Sequence, residues 1–231
     1  MGAVVDLSKV YILVTAYNEA AVISDVLTKL YRVFQHVVVV DDCSTDETSL
    51  IAKESGAIVI RHPINLGQGA ALQTGFDFIK TTDAQVIVTF DADGQHRVED
   101  AAALAQAVLR NEADIVCGSR FLEIRSTTMP RAKRFTLKMA AIFTRITSGV
   151  PVTDAHNGLR AISTVCVSKF KITQNRMAHA SEIISQIKIN KLRYKEYPVL
   201  IEYTDYSIRK GQKITNAINI LIDLLFGGLS K

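Results

Sequence analysis

The stretch HVVVVDDCSTDETSLIAKESGAIVIRH, residues 36–62, sets two short β-branched runs on either side of a helical pattern. Four consecutive valines and the later AIVI are apolar at every position, which suits strands covered on both faces rather than one. TDETSLIAKESG between them carries helix formers and stops at Gly56, and Ser44 and Glu47 have the spacing of a capping box. A strand, a helix of this length and another strand make a crossover unit, whose strands run parallel.

Working outward, the same alternation continues. KVYILVTAY reads as a strand and EAAVISDVLTKLYRVF as an amphipathic helix before the quoted stretch. After it come a glycine loop with the helix GAALQTGFDFIKTT, the strand AQVIVTF, the helix VEDAAALAQAVLRNEA and the strand ADIVCGSRF. Then the pattern changes to a basic helical stretch, RAKRFTLKMAAIFTRITSG, a short TDAHNGLRAIS, a helix around HASEIISQIKINK and a strand KEYPVLIEY. The expected fold is α/β, a mostly parallel Rossmann-like central sheet flanked by helices, with one domain over residues 1–213 and a C-terminal amphipathic helix over 214–231. Sheets of this kind bind ligands beyond the carboxyl ends of their strands.

Composition narrows the class. With 231 residues and 48% hydrophobic content the chain can bury one sizeable core. Cys43, Cys117 and Cys166 are far apart and form no CxxC pair, which argues for a reducing compartment and against a zinc site. MGAVVDLSKV lacks the features of a signal peptide, and ITNAINILIDLLF is too short and too polar to span a membrane. Charge is split: residues 1–100 hold 14 acids against 7 Lys/Arg, and residues 101–231 hold 9 acids against 20 Lys/Arg. An acidic half suited to metal thus precedes a basic half suited to anions, and no aromatic-interleaved basic motif points to nucleic acid.

The strand ends carry the polar clusters. TAYNEA offers Thr15, a stacking face on Tyr17, and Asn18 and Glu19 at a helix opening. Helix capping accounts for Ser44, Asp46 and Glu47 but not for Asp41 and Asp42, whose carboxylates could accept from a nucleobase or a ribose. Gly67 and Gly69 in NLGQGAALQTGF lack the third glycine of a dinucleotide fingerprint and the Lys-Ser/Thr of a P-loop, so a tight turn with close backbone approach to a ligand is the reading. DADGQH, residues 91–96, puts Asp91 and Asp93 on one side of a strand end. Clustered carboxylates repel unless a cation joins them, and a hard divalent ion, Mg2+ or Mn2+, with diphosphate oxygens relieves this. His96 adds a ligand if the turn folds back. Any one cluster is explained by a turn or a cap; four at successive strand ends are not.

Together the clusters resemble the family 2 glycosyltransferases of the GT-A fold. TAYNE, DDCSTDET, NLGQGAA and DADGQH are similar to that family's motifs, and GSR and TDAHNGLR look like its polyprenyl-phosphate sugar synthase branch. Cys43 stands where the family usually has glycine, and Gln68 where it has lysine. The resemblance implies that Thr15, Tyr17, Glu19, Asp41, Asp42, Gly67 and Asp91 meet the nucleotide. It implies that Asp91, Asp93 and Gln95 hold the divalent metal. Asp93, Asp154 and Arg120 would be the catalytic group, with Asp154 orienting acceptor or sugar, or acting as base if the acceptor is a hydroxyl. Arg120 with Arg131 or Arg134 would meet the acceptor phosphate, and Arg209, Lys210 and Lys213 would close over the diphosphate as a flap.

The implied partners are a UDP- or GDP-sugar, a polyprenyl phosphate and the cytoplasmic face of a membrane, held peripherally. INILIDLLF has three uses open to it: lying in the membrane surface, packing on the domain, or joining copies in a homo-oligomer. Two other function classes stay open, transfer to a saccharide hydroxyl and a non-catalytic nucleotide-binding module. Both aspartates of DADGQH speak against the last.

Overall fold

The computed structural model describes residues 5–122, 131–175, 178–202 and 206, without the side chains of residues 131–133. Its elements in chain order are β1 (Val10–Ala16), α1 (Ile23–Tyr31), β2 (His36–Asp41), α2 (Thr48–Glu54), β3 (Ile58–Arg61), α3 (Gln68–Ile79) and β4 (Val86–Asp91). They continue with α4 (Val98–Leu109), β5 (Ile115–Ser119), α5 (Arg131–Ser148), β6 (Arg160–Ser163), α6 (Thr164–Val167), α7 (His179–Ile189) and β7 (Tyr194–Pro198). The strands lie in the order β3-β2-β1-β4-β6-β5-β7.

The near-continuous apolar strands do what their composition requires. Ile12, Val14, Val37, Val39, Val86 and Val88 face one core with Leu27, Leu30, Ala101 and Leu104 of α1 and α4. Leu13, Val38, Val40 and Ile87 face the other, with Leu72, Phe76, Ile183 and Ile184 of α3 and α7. Gly75 lets α3 settle on β1, since a Cβ there would stand 2.9 Å from Leu13 Cγ.

Two features differ from the sequence reading. Residues 160–163, read as part of a short irregular segment, form β6, which runs antiparallel between β4 and β5. Its four residues are too few for periodicity to show, and only its two neighbours make it a strand. The capping box also does not form: α2 begins at Thr48, and the Ser44 hydroxyl turns back to Asp41. Asp46 instead accepts from the Thr48 amide at 3.0 Å.

From β1 the chain steps outward to β2 and β3, then crosses back to β4 on the other side of β1. The carboxyl ends of β1 and β4 therefore flank a topological switch point, where a crevice opens. Thr15 of β1 and Asp91 of β4 are register partners there.

Candidate functional site

The loop after β1 is sewn to the loop after β2. Asn18, at φ 55°, takes a left-handed conformation that asparagine tolerates. Its side-chain oxygen accepts from the Thr45 amide at 2.8 Å, and its own amide donates to Ser44 Oγ at 2.9 Å. The Glu19 amide donates to Thr48 Oγ1 at 2.8 Å. This carries Glu19 into a buried position while Tyr17 stays 44% exposed.

Asp41 and Asp42 acquire a structural account that the sequence did not supply. Asp41 is fully buried; its carboxylate accepts from the Ser44 amide at 2.9 Å and from the hydroxyls of Ser44 and Ser49. Asp42 pins the loop before α3, accepting from the amides of Leu66 at 2.8 Å and Gly67 at 2.7 Å and pairing with His62 Nδ1 at 2.8 Å. Both carboxylates are thus occupied by the protein's own donors. Gly67, at φ 98°, makes the turn that only glycine makes without strain. Gly69 is a glycine for another reason than ligand approach: a Cβ there would overlap the Gln174 carbonyl oxygen and stand 2.9 Å from His179 Cβ.

At the end of β4 two carboxylates have unlike surroundings. Asp91 Oδ1 accepts from Gln68 Nε2 at 3.0 Å, and Oδ2 pairs with His96 Nε2 at 3.0 Å. Gln68 Nε2 also lies 3.4 Å from Thr15 Oγ1. Burial opposes ionisation of Asp91, but the His96 hydrogen bond and the charges of His96, Arg160 and His179 outweigh it and hold the carboxyl below its ordinary range. Asp93 accepts from the Gln95 amide at 3.0 Å. Burial first, and then the Asp91 charge, push its pKa up to about 6; Glu19 adds to the repulsion. His96 is buried beneath this pair, edge-on to Phe90 at 5.5 Å, with a buried Nδ1 that has no hydrogen-bond partner. The turn folds back so that the imidazole is directed at Asp91.

The residues present fit a divalent cation of the Mg2+ type. Among the described residues no three His, Cys, Asp or Glu side chains gather into a cage. Mg2+ needs no such cage: it is ordinarily bound through one or two carboxylates, with phosphate oxygens and waters completing the shell. A cation there would also offset the burial and the Asp91 repulsion that raise the Asp93 pKa.

A second constellation lies at the end of β5. Arg120 Nε donates to Asp154 Oδ2 at 2.5 Å and a terminal nitrogen to Oδ1 at 3.3 Å, with both side chains nearly buried. The same guanidinium donates to the His156 carbonyl at 3.3 Å. Asp154 therefore orients Arg120, and a general-base role would first have to break this pair. The stretch 153–160 links the two constellations. Asp154 holds Arg120, and four residues later Gly158 packs on Asp91, where a Cβ would stand 2.7 Å from Asp91 Cγ. The Gly158 carbonyl accepts from Thr89 Oγ1 at 2.6 Å, and buried Arg160 donates to the Ala155 carbonyl at 3.2 Å.

Sequence reasoning passed over Gly158, and it named Gln68 only as a departure from a motif. The glycine in HNGLR was visible, but nothing local says that a carboxylate from residue 91 meets it. Arg134 lies half-buried on α5. Tyr206 Oη donates to Glu19 Oε2 at 2.7 Å, bringing the segment after β7 back to the end of β1. The side chain of Arg131, together with Arg209, Lys210, Lys213 and the C-terminal helix of 214–231, lies outside the described residues.

Comparison with known proteins identifies the family and the fold. Residues 11–177 match the glycosyl transferase family 2 profile, and the chain belongs to that family. It is 31% identical to the UDP-N-acetylglucosamine–dolichyl-phosphate N-acetylglucosaminyltransferase of Methanococcus voltae, over 96% of this chain and 97% of that one. It is 27% identical to the polyprenol monophosphomannose synthase of Mycolicibacterium smegmatis, over 87% of this chain and 72% of that one. In fold it is similar to the crystal structure of glucosyl-3-phosphoglycerate synthase from Mycobacterium tuberculosis in complex with Mn2+, UDP-glucose and phosphoglyceric acid. The TM-score is 0.70 at 16% identity, covering 95% of this chain and 79% of that one. The fold is GT-A, and the protein is a glycosyltransferase.

Proposed function

We propose that this family 2 glycosyltransferase moves a sugar from a nucleoside diphosphate, UDP or GDP, to a polyprenyl phosphate at a membrane surface, with inversion at the anomeric carbon. The observation that carries the reading is the stretch 153–160. Through Asp154 it aims a guanidinium, and through Gly158 it packs on Asp91, so the groups we assign to an anion site and to a cation site share one eight-residue support. The relatives named for transfer to dolichyl phosphate and for polyprenol monophosphomannose synthesis support the same acceptor class.

In this reading Tyr17 stacks on the base and Thr15, Glu19 and Gly67 shape the nucleotide pocket. Asp41 and Asp42 act on the nucleotide through the loops they hold. Asp91, Asp93 and Gln95 would hold Mg2+ or Mn2+, which when bound would supply positive charge against the departing diphosphate. Arg120 and Arg134 draw in the acceptor phosphate. A phosphate monoester has a second pKa near 6, so at neutral pH the acceptor is largely dianionic and needs no strong base. One of its oxygens forms the new bond to the anomeric carbon as the bond to the diphosphate breaks. The departing charge is stabilised electrostatically, and Asp154 serves by orienting Arg120.

Helix α5 supports a location at the membrane surface. Phe135, Met139, Ile142 and Ile146 recur at spacings of four, three and four, all exposed, while Ala140, Ala141, Thr144 and Ser148 are buried on the opposite side. Arg134, Lys138 and Arg145 line one flank of that apolar stripe. An outward apolar stripe with a basic flank suits the interface of an anionic leaflet, which we place on the cytoplasmic side. No helix among the described residues is long and apolar enough to cross a membrane.

The test is incubation with radiolabelled nucleotide sugars, polyprenyl phosphate and Mn2+ or Mg2+. Label in an organic-extractable lipid, lost with EDTA and in Asp93→Ala, is the expected result. Label appearing only in a saccharide would overturn the acceptor assignment.

A further inference from the structure

The Arg120–Asp154 pair does not stand alone. Glu196, on β7, turns its carboxylate to the segment before β6. One oxygen accepts from the Thr153 amide at 2.7 Å and from the Asp154 amide at 3.3 Å. The other accepts from the Thr153 hydroxyl at 2.7 Å. Because that hydroxyl hydrogen is engaged, the 2.6 Å contact between Ser119 Oγ and Thr153 Oγ1 has Ser119 as donor. Ser119 Oγ in turn accepts from the Phe121 amide at 3.2 Å. The residues on both sides of Arg120 and the carboxylate that grips its guanidinium are therefore tied to one side chain.

No role in ligand binding requires Glu196 to touch a ligand, and its lone pairs face inward to this network. A carboxylate suits this position because it accepts from two backbone amides and one hydroxyl, where an apolar residue would leave both amides without this acceptor and release the hydroxyl to turn to Ser119. Backbone pairing alone also leaves Arg120 free to choose among rotamers, whereas an oriented Asp154 selects one.

We propose that Glu196 is a positioning residue for Arg120, acting through the Thr153–Asp154 turn and setting where the guanidinium meets a phosphate. The inference rests on the reading of Arg120 as a phosphate-binding cation.

A double-mutant cycle tests it. Kinetics of transfer to polyprenyl phosphate are compared for wild type, Glu196→Ala, Arg120→Ala and the double variant, alongside calorimetric binding of inorganic phosphate, which needs no turnover. Thermal melting is followed in each. Glu196→Ala should weaken phosphate affinity by about tenfold, the equivalent of roughly 1.4 kcal/mol. The loss should appear in whichever KM Arg120→Ala raises, the other staying within about twofold of wild type. The double variant should be no worse than Arg120→Ala. Glu196→Gln should recover most of the loss, since an amide oxygen still accepts from the Thr153 amide while its NH2 meets the hydroxyl.

If Glu196→Ala fails to fold, Thr153→Val, which removes only the hydroxyl link, takes its place in the cycle. Losses that add in the double variant, or a lowered melting temperature with phosphate affinity intact, overturn the inference while leaving Arg120 in its role. If Arg120→Ala itself changes neither KM nor phosphate binding, the reading of Arg120 fails and the inference with it.

Discussion

Gly158 and Asp91 touch so closely that no side chain fits between them: a Cβ on Gly158 would stand 2.7 Å from Asp91 Cγ. Gly158 has no left-handed φ, so contact rather than backbone conformation requires glycine here. Gly158→Ala must displace either the carboxylate or the backbone of the 153–160 stretch. Overpacking of this kind costs about 1–3 kcal/mol of stability. Transfer should fall further than stability does, and rates measured beside chemical denaturation will show it. Wild-type kcat/KM in the variant would mean that Asp91 need not stand where it does.

Asp93 is one of the carboxylates proposed to hold the metal. EDTA should abolish transfer, and Mn2+ or Mg2+ should restore it. Asp93→Ala should lower kcat/KM by about a hundredfold or more, near 2.7 kcal/mol of barrier. Mn2+ binding followed by electron paramagnetic resonance separates lost metal affinity from misfolding.

Cys43 occupies a left-handed position, φ 64°, where the family motif has glycine. Cys43→Gly removes the strain of an L side chain there, worth about 1–2 kcal/mol, against a smaller entropic cost in the unfolded chain. Cys43→Val adds a branched Cβ at the same φ and should lose stability. The gap between the two variants in urea denaturation should exceed about 1 kcal/mol, with the glycine more stable.

His156 gives the fold a pH dependence. Burial lowers its pKa to about 4, the nearby Asp154 charge opposing the shift and those of Arg160 and Arg120 assisting it. The unfolded chain has an ordinary imidazole near 6.5 and so binds the proton first as pH falls. Above about 6.5 the group is neutral in both states, and stability then declines as pH drops from there towards 4, by roughly 3 kcal/mol at most. His156→Gln should flatten the stability-against-pH curve in this window. A variant curve parallel to wild type would assign the decline to other groups.

The outward stripe of α5 predicts lipid dependence. The protein should sediment with vesicles containing anionic lipid and much less with neutral ones, and added salt should weaken the binding. Phe135→Asp with Ile146→Asp should reduce vesicle binding by about tenfold or more, since each apolar side chain contributes on the order of 1 kcal/mol when buried. Unchanged sedimentation, or a loss of self-association instead, would assign the stripe to another partner.

Much of the site was legible because its signals are local. Strands buried on both faces announce themselves as unbroken apolar runs, and their polar ends stand next to them in sequence. Thr15, Glu19 and Asp91 were singled out in this way; Asp93 was singled out by the i, i+2 spacing of a strand, but β4 ends at Asp91 and Asp93 stands in the turn after it. Asp154 and Arg120 were each noticed in a motif, but their pairing was not, since 34 residues separate them. Asp42 looked unexplained for the same reason: the amides of Leu66 and Gly67 that engage it lie more than twenty residues further on, whereas the Ser44 and Ser49 donors of Asp41 are local and were passed over.

The sequence by itself determined the βαβ order, the parallel strands and the line of polar clusters along their carboxyl ends, since periodicity and strand ends are properties of neighbouring residues. Tertiary structure alone decided that residues 160–163 enter the sheet antiparallel between β4 and β5. That insertion puts Asp154 on Arg120, Gly158 on Asp91, and Glu196 behind the turn that joins them. Hydrogen bonds and close contacts depend on distances in space, which are settled only when strands distant in sequence pack into one sheet.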